Sequence, residues 1–457
     1  VGLGVNFGGK HHLEAMACRN FWALPLAMAC VGQLGCAQDD GGHKMHSEFF
    51  CPPRDYRREA VMVPLVGDAD HFLTAIASKP PGQGARAQVA IVVIHGGLRE
   101  AEPYYDVMMK VVKKHNQHDS TLVVAPGFAD RPCSSKEWLK GSSLRHTGAE
   151  AAHWGSSSRQ WMFGAESDHN ATWKGVTSFE AIDSIFPWVS KEYLGVEHII
   201  LAGFSSGGQM VLHWAITSTE GIDGKTKDGK ELRIVIGSPS TVMYLDEKRP
   251  AKKCLPNEDT GKLHHCDDFQ VQAADVCGRH DYDQYGFGLG GLRWHSGVGS
   301  NIRLDVSNYV HATTSKSDQK HLRSTLVKRF ASKDIRFLFG SHDTKSCLKG
   351  ICSGDCQSMT QGANRLQRGL NYMGHLENAI PGYKAIFGIF EGGHDHIKAF
   401  NSDHFESWAF HHGRGMQASV VAHASPMHKA TERIVQLEVS VGGTPRVFAP
   451  HFDHIIN

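Results

Sequence analysis

The sequence predicts an α/β domain with a mostly parallel, twisted sheet flanked by helices, and three observations predict it. Apolar strand-like runs alternate with helical patterns from about residue 60 to residue 411, the order expected when helices form the crossovers of a parallel sheet. Gln88 to Ile94 is a continuous, largely β-branched run, as expected of a strand buried on both faces. The run Ile199-Ile200-Leu201-Ala202 leads into Gly203-Phe204-Ser205-Ser206-Gly207 and then into a helical pattern. This is a strand, a sharp turn and a helix in immediate succession.

Taken in order, Val61 to Val66 and His71 to Ala77 read as an opening antiparallel pair, and Gln88 to Ile94 as the first buried parallel strand. Tyr104 to Lys114 has helical periodicity, Thr121 to Ala125 is a strand, Ser178 to Tyr193 a helix and His198 to Ala202 a strand. Ser206 to Ile216 follows as helix, Leu232 to Ile236 as strand, Ile335 to Phe339 as strand, Asn364 to Leu376 as helix and Lys384 to Phe390 as the last strand. Two regions interrupt this rhythm: 126–174, rich in Ser, Gly, Trp and charge, and 240–330, with three cysteines and the Tyr/Gly/Trp-rich piece Tyr282 to Trp294. Loops of this length in a compact domain are usually functional, and both follow strand C-termini, where open α/β sheets bind ligands. They are expected to form a cap, the second one inserted ahead of the strand that carries the candidate acid.

With 457 residues, 41% hydrophobic and 21% charged, the chain has the composition of an ordinary globular protein. Lys plus Arg number 48 against 47 Asp plus Glu, so no basic field exists to attract nucleic acid or anionic lipid. Thirty histidines are present, yet no HExxH motif and no Cys/His quartet of structural-zinc spacing appears. The expected domain therefore carries no metal.

Met16 to Asn20 with one Arg, the uncharged apolar run Phe21 to Leu34 and the small residues Gly35-Cys36-Ala37 have the order of a signal peptide cleaved after Ala37. The apolar run is shorter than the roughly 20 residues of a membrane span. The organisation expected is then 1–37 upstream residues and leader, 38–60 an N-terminal extension, 61–411 the main domain and 412–457 a C-terminal extension. Outside the leader remain Cys51, Cys133, Cys254, Cys266, Cys277, Cys347, Cys352 and Cys356, an even set that suits disulfides in an oxidising compartment. Asn170-Ala171-Thr172 is a glycosylation sequon. These features point to export.

The chemistry-bearing residues fall at predicted strand ends. Ser205 is the centre of the G-x-S-x-G turn, where flanking glycines permit a bend sharp enough to raise a serine above the sheet, over a helix N-terminus that favours negative charge. His95-Gly96-Gly97 ends the strand Ala90 to Ile94, and the N–H groups of Gly97 and Ser206 are the expected oxyanion donors. Gly340-Ser341-His342-Asp343 and Glu391-Gly392-Gly393-His394-Asp395-His396 end the last two strands. Asp343 is the expected acid and His394 the base, since a serine needs a base and the base an orienting partner. His396 and Asp355 are the competing choices, and Asp395 is expected to fix the loop or cap the following helix.

These residues resemble the α/β-hydrolase superfamily, and more narrowly a group of little-characterised secreted or microbial serine esterases within it. The narrower likeness rests on His95-Gly96, Gly203 to Gln209 (GFSSGGQ), Pro239-Ser240-Thr241, Tyr244-Leu245-Asp246, Arg249-Pro250, Gly340 with Asp343-Thr344, Gln361 to Gly369 and Gly393-His394-Asp395. It spans roughly residues 88 to 400. The resemblance implies the α/β-hydrolase fold and a Ser-His-Asp hydrolase that needs no cofactor. The chain departs from the pattern in its longer, Cys-bearing insert before Asp343 and in the cysteines Cys347 to Cys356 after it.

Hydrolysis of a small-molecule or polymeric carboxylic ester through an acyl-enzyme is the expected activity. An amidase or peptidase would use the same residues, and a secreted binding protein on an inactive hydrolase fold is the alternative from another class. The intact Ser, Asp and His candidates argue against the latter. Trp154, Trp161, Trp173, Tyr282, Tyr285 and Trp294 lie in the expected cap regions, where core packing is expected of most of them. No nucleic-acid partner and no stable membrane insertion are expected, and the sequence does not specify an oligomeric state.

Overall fold

In the computed structural model the described residues are 59–410, apart from 68–70, 84–85, 131–149, 156–160, 169–174, 255–265, 274, 279–281, 291, 293–300 and 350–351, together with the paired strands 438–441 and 444–447. The leader, Cys51, Cys133, the Asn170 sequon, Trp173 and Trp294 lie outside them.

Eight strands form the main sheet: β1 (Ala60–Pro64), β2 (His71–Ala77), β3 (Val89–Ile94), β4 (Thr121–Gly127), β5 (His198–Phe204), β6 (Glu231–Gly237), β7 (Asp334–Gly340) and β8 (Ile386–Phe390). Their spatial order is β1-β2-β4-β3-β5-β6-β7-β8, and the two-residue strand Glu150–Ala151 adds to β2. β2 runs antiparallel to β1 and β4, and all later neighbours are parallel. This order, with one reversed strand and helical crossovers, is the α/β-hydrolase fold.

The sheet is a middle layer because its strands are apolar on both faces. In β3, Ala90, Val92 and Ile94 belong to one core and Ile91 and Val93 to the other, as alternate side chains must. In β5, Ile199 and Leu201 face the first core, while Ile200, Ala202 and Phe204 face the second. Helices α2 (Ser178–Glu192) and α3 (Ser206–Thr217) contribute to the first core. Helix α1 (Ala101–Lys114) covers the second. It begins three residues earlier than the periodicity suggests, because Pro103 falls in the first turn, where a missing N–H costs nothing. A capping box starts α2, with Thr177 Oγ1 accepting from the Glu180 N–H and the Glu180 carboxylate from the Thr177 N–H.

Part of the stretch 240–330 is helical. Its last third forms helices α4 (Asn301–Ala312) and α5 (Leu322–Ala331). Val306, Tyr309, Val310, Leu326 and Phe330 are buried in the main core, so these helices belong to the body of the domain. Within 126–174, Trp154 and Trp161 are also buried in that core, as are Tyr285 and Leu292 of the second region. Among the described residues three disulfides link Cys254 to Cys266, Cys277 to Cys356 and Cys347 to Cys352. Among the described residues no helix is long and apolar enough to cross a membrane.

Register brings the strand C-termini to one edge. Ile94 lies beside Gly203, Phe204 beside Gly237, Gly237 beside Leu338, and Gly340 beside Phe390. The residues that follow β3, β5, β7 and β8 therefore emerge together.

Candidate active site

At the end of β5 the backbone turns at Ser205, whose φ of 60° and ψ of −122° place a non-glycine residue in a strained region. The strain is held from both sides: the Ser205 N–H donates to Gly237 O at 2.9 Å, and Ser205 O accepts from the Gln209 N–H at 2.9 Å. A side chain at Gly203 would place its Cβ 2.4 Å from Gly207 O, and one at Gly207 would lie 2.4 Å from the carbonyl oxygens of both Ile94 and His95. The turn thus requires glycine on each side because α3 and β3 approach too closely for a methyl group. Ser205 is 9% exposed.

His95-Gly96-Gly97 follows β3 directly and abuts this elbow. A Cβ at Gly96 would stand 3.8 Å from Ser205 Cβ, and one at Gly97 would stand 3.0 Å from Ser206 Oγ. Ser206 opens α3, so its N–H is among those a helix leaves without an internal partner.

Asp343 follows β7. Its N–H donates to Gly340 O at 3.1 Å and its carbonyl accepts from the Leu366 N–H at 3.2 Å, which fixes the residue against helix α6 (Arg365–Ala379). His394 follows β8, and its Nδ1 lies 2.8 Å from Asp343 Oδ2. With the carboxylate accepting, Nδ1 carries the proton and Nε2 presents a lone pair. The His394 ring packs 4.8 Å from that of Phe204, the residue before Ser205. Asp343 is buried, which by itself raises a carboxyl pKa; the hydrogen bond and charge of His394 together with Arg365 outweigh burial and hold it below its ordinary value.

The competing candidates sit elsewhere. His396 starts α7 (His396–Phe400) and stacks on Tyr104 with ring centroids 4.5 Å apart. Asp355 caps the helical turn Cys356–Met359, accepting from the Ser358 N–H at 2.8 Å. Asp395 caps α7 through the N–H groups of Ile397 and Lys398.

Several residues around the site carried no assigned role in the sequence. Arg365, buried, has its Nη1 3.4 Å from Asp343 Oδ1. His95 is buried, with Nδ1 donating to Gly96 O at 2.9 Å and Nε2 accepting from the Phe128 N–H at 3.1 Å. Burial above all lowers its pKa to about 3, so it serves as a neutral clip. Gln361 pairs with both backbone groups of Val242, and the buried Arg368 donates to Ser240 O, Gly362 O and Ser353 O. Arg365 and Arg368 both lie in the Gln361 to Gly369 stretch that the sequence marks as distinctive. Their partners, distant in sequence, leave no local signature. Among the described residues no group of three His, Cys, Asp or Glu side chains is placed to hold a metal ion.

No protein-family model and no curated protein sequence matches the chain. Solved structures do. Poly(aspartic acid) hydrolase-1 from Sphingomonas sp. KT-1 aligns at 18% identity over 78% of this chain and 99% of that one, with a TM-score of 0.44. LpqC, a poly(3-hydroxybutyrate) depolymerase from Bordetella parapertussis, aligns at 16% identity over 77% and 90%, with a TM-score of 0.43. The siderophore hydrolase EstA from Aspergillus nidulans aligns at 13% identity over 79% and 96%, with a TM-score of 0.33. The fold assignment rests on the strand order of the chain itself.

Proposed function

We propose that the protein is a serine hydrolase that cleaves carboxylic esters through an acyl-enzyme. The observation that carries the reading is the 2.8 Å Asp343–His394 contact, formed at the sheet edge where Ser205 occupies a strained strand-to-helix turn. Ser205 Oγ attacks the ester carbonyl as His394 Nε2 takes its proton, and Asp343 stabilises the imidazolium. The Gly97 and Ser206 N–H groups receive the oxyanion. Collapse expels the alcohol, protonated by His394. Water, activated by the same imidazole, then attacks the acyl-enzyme and releases the acid and Ser205.

The three disulfides support an oxidising, extracellular setting, and with the signal-like segment we infer export. A fluorophosphonate probe tests the chemistry, since a base-activated serine beside an oxyanion hole reacts rapidly with it. Labelling of Ser205 together with p-nitrophenyl ester turnover is expected. Turnover of the matching anilide at a comparable rate would instead indicate an amidase, and full esterase activity in Ser205→Ala would overturn the assignment.

A further inference from the structure

Arg99 combines two unusual features. Its φ is 62°, in the left-handed region that non-glycine residues avoid, and its long cationic side chain is only 5% exposed. Burying a guanidinium is costly unless it is well hydrogen-bonded. Here Nη1 donates to Phe128 O at 3.3 Å and to Trp154 O at 3.2 Å. The Arg99 N–H donates to Gly96 O at 3.1 Å, closing the turn His95-Gly96-Gly97-Leu98-Arg99.

The residue at the other end of this turn binds the same target. His95 Nε2 accepts from the Phe128 N–H at 3.1 Å, so Phe128 offers its N–H to one flank of the Gly-Gly turn and its carbonyl to the other. Trp161 backs the arrangement, 4.8 Å from the His95 ring, 5.3 Å from the Phe128 ring and 5.9 Å below the Arg99 guanidinium. Leu98 at the tip is 55% exposed and gives the turn little anchorage of its own. Burial lowers the guanidinium pKa to about 10, opposed by the charges of Asp130 and Asp168, so the group stays cationic at neutral pH.

We propose that Arg99 is a positioning residue for the oxyanion turn: by bracing Gly96 and Gly97 against Phe128 and Trp154, it fixes the Gly97 N–H where the transition-state oxygen forms. The inference rests on the esterase reading above. An oxyanion donor works only within about 2.7–3.1 Å of the developing charge. A brace on Phe128, just beyond β4, and on Trp154 removes the freedom by which a two-glycine turn would lose that geometry. Arg99 touches no reacting atom.

The test compares Arg99→Gly and Arg99→Lys with the wild type. Glycine adopts the left-handed backbone without strain and removes the brace, but it also adds backbone freedom, which the lysine variant does not. Arg99→Gly is expected to lower kcat by about 10- to 100-fold with KM within about twofold, less than the roughly 10²- to 10³-fold cost of deleting a donor outright. Affinity for a tetrahedral boronic acid analogue should fall by the same factor. Arg99→Lys, which retains charge without the planar fork, should lie between. If the glycine variant does not fold, the lysine variant decides. A folded variant with wild-type kcat and analogue affinity overturns the proposal, as does a rise in KM at constant kcat. A wild-type protein that a fluorophosphonate leaves unlabelled at Ser205 would overturn the esterase reading and the brace with it. Labelled wild type beside unaffected Arg99 variants overturns the brace alone.

Discussion

Arg365 stands 3.4 Å from Oδ1 of Asp343, on the oxygen that His394 does not use. Both side chains are buried, at 3% and 4% exposure. The acid is thus held between a cation and an imidazole donor, and this arrangement has consequences for stability and for pH dependence.

Replacing Arg365 by Met should leave the Asp343 charge in a buried site with one partner fewer. Breaking a buried pair in this way costs roughly 3–5 kcal/mol, and the long contact places the expected loss at the lower end. With that cation gone, burial acts on Asp343 with less opposition and its pKa rises. The acid limb of the kcat/KM profile should then move to higher pH. Urea denaturation and a pH–rate series measure the two effects.

Asp343 itself should make stability depend on acid. Its pKa in the fold is lowered from 3.8, so its contribution is fully present above pH 3.8, the unfolded value, and is lost as pH falls through the lower folded value. Asp343→Asn should flatten this limb of the stability curve below pH 3.8. The same variant should keep its fold at neutral pH yet lose up to about 10⁴-fold in kcat, because the amide favours the wrong imidazole tautomer.

The strands were legible because β3 and β5 are continuous apolar runs of the length a buried strand needs. Helices α4 and α5 were not. In α5 the buried Leu322, Leu326 and Phe330 recur every four residues, but they are separated by Arg, Ser, Thr and Lys and follow the polar segment Thr313 to His321, so charge masks the spacing. The candidate serine, acid and histidine stand out because glycines and strand ends surround them. Arg99 and Arg365 do not, since a lone arginine takes its meaning from partners that folding alone brings close. Asp355 and His396 illustrate the converse: each follows a candidate loop in sequence, and in the fold Asp355 caps a helical turn while His396 stacks on Tyr104.

Gly207→Ala should be poorly tolerated. The added methyl would meet the carbonyl oxygens of Ile94 and His95 at 2.4 Å, and these are main-chain atoms of the central sheet that cannot rotate aside. A loss of about 1–3 kcal/mol is expected from such overpacking, with a fall in turnover as Ser205 and the Gly96–Gly97 turn are pushed apart. Thermal unfolding and ester kinetics on the same sample check both.

The disulfides should differ in worth. Cys277–Cys356 closes a span of 79 residues and Cys347–Cys352 a span of 5. On the chain-entropy account the longer loop contributes about 4.5 kcal/mol and the shorter about 2. Paired Cys→Ser variants, compared by urea denaturation, should show that ranking, and equal losses would argue against unfolded-state entropy as the source.

The catalytic assignment is tested most sharply by a small set of variants. Ser205→Ala and His394→Ala should each remove most turnover, and the double variant should cost little more than either, because nucleophile and base act as a unit. His396→Ala should retain most turnover, since its ring stacks on Tyr104 and Asp343 is bound by His394. The contrast between the histidines matters more than the size of either loss. A dead His396→Ala beside an active His394→Ala would mean that the base had been assigned to the wrong ring, whereas loss in both would assign Tyr104–His396 stacking a part in shaping the site. Circular dichroism on each variant separates these outcomes from simple unfolding.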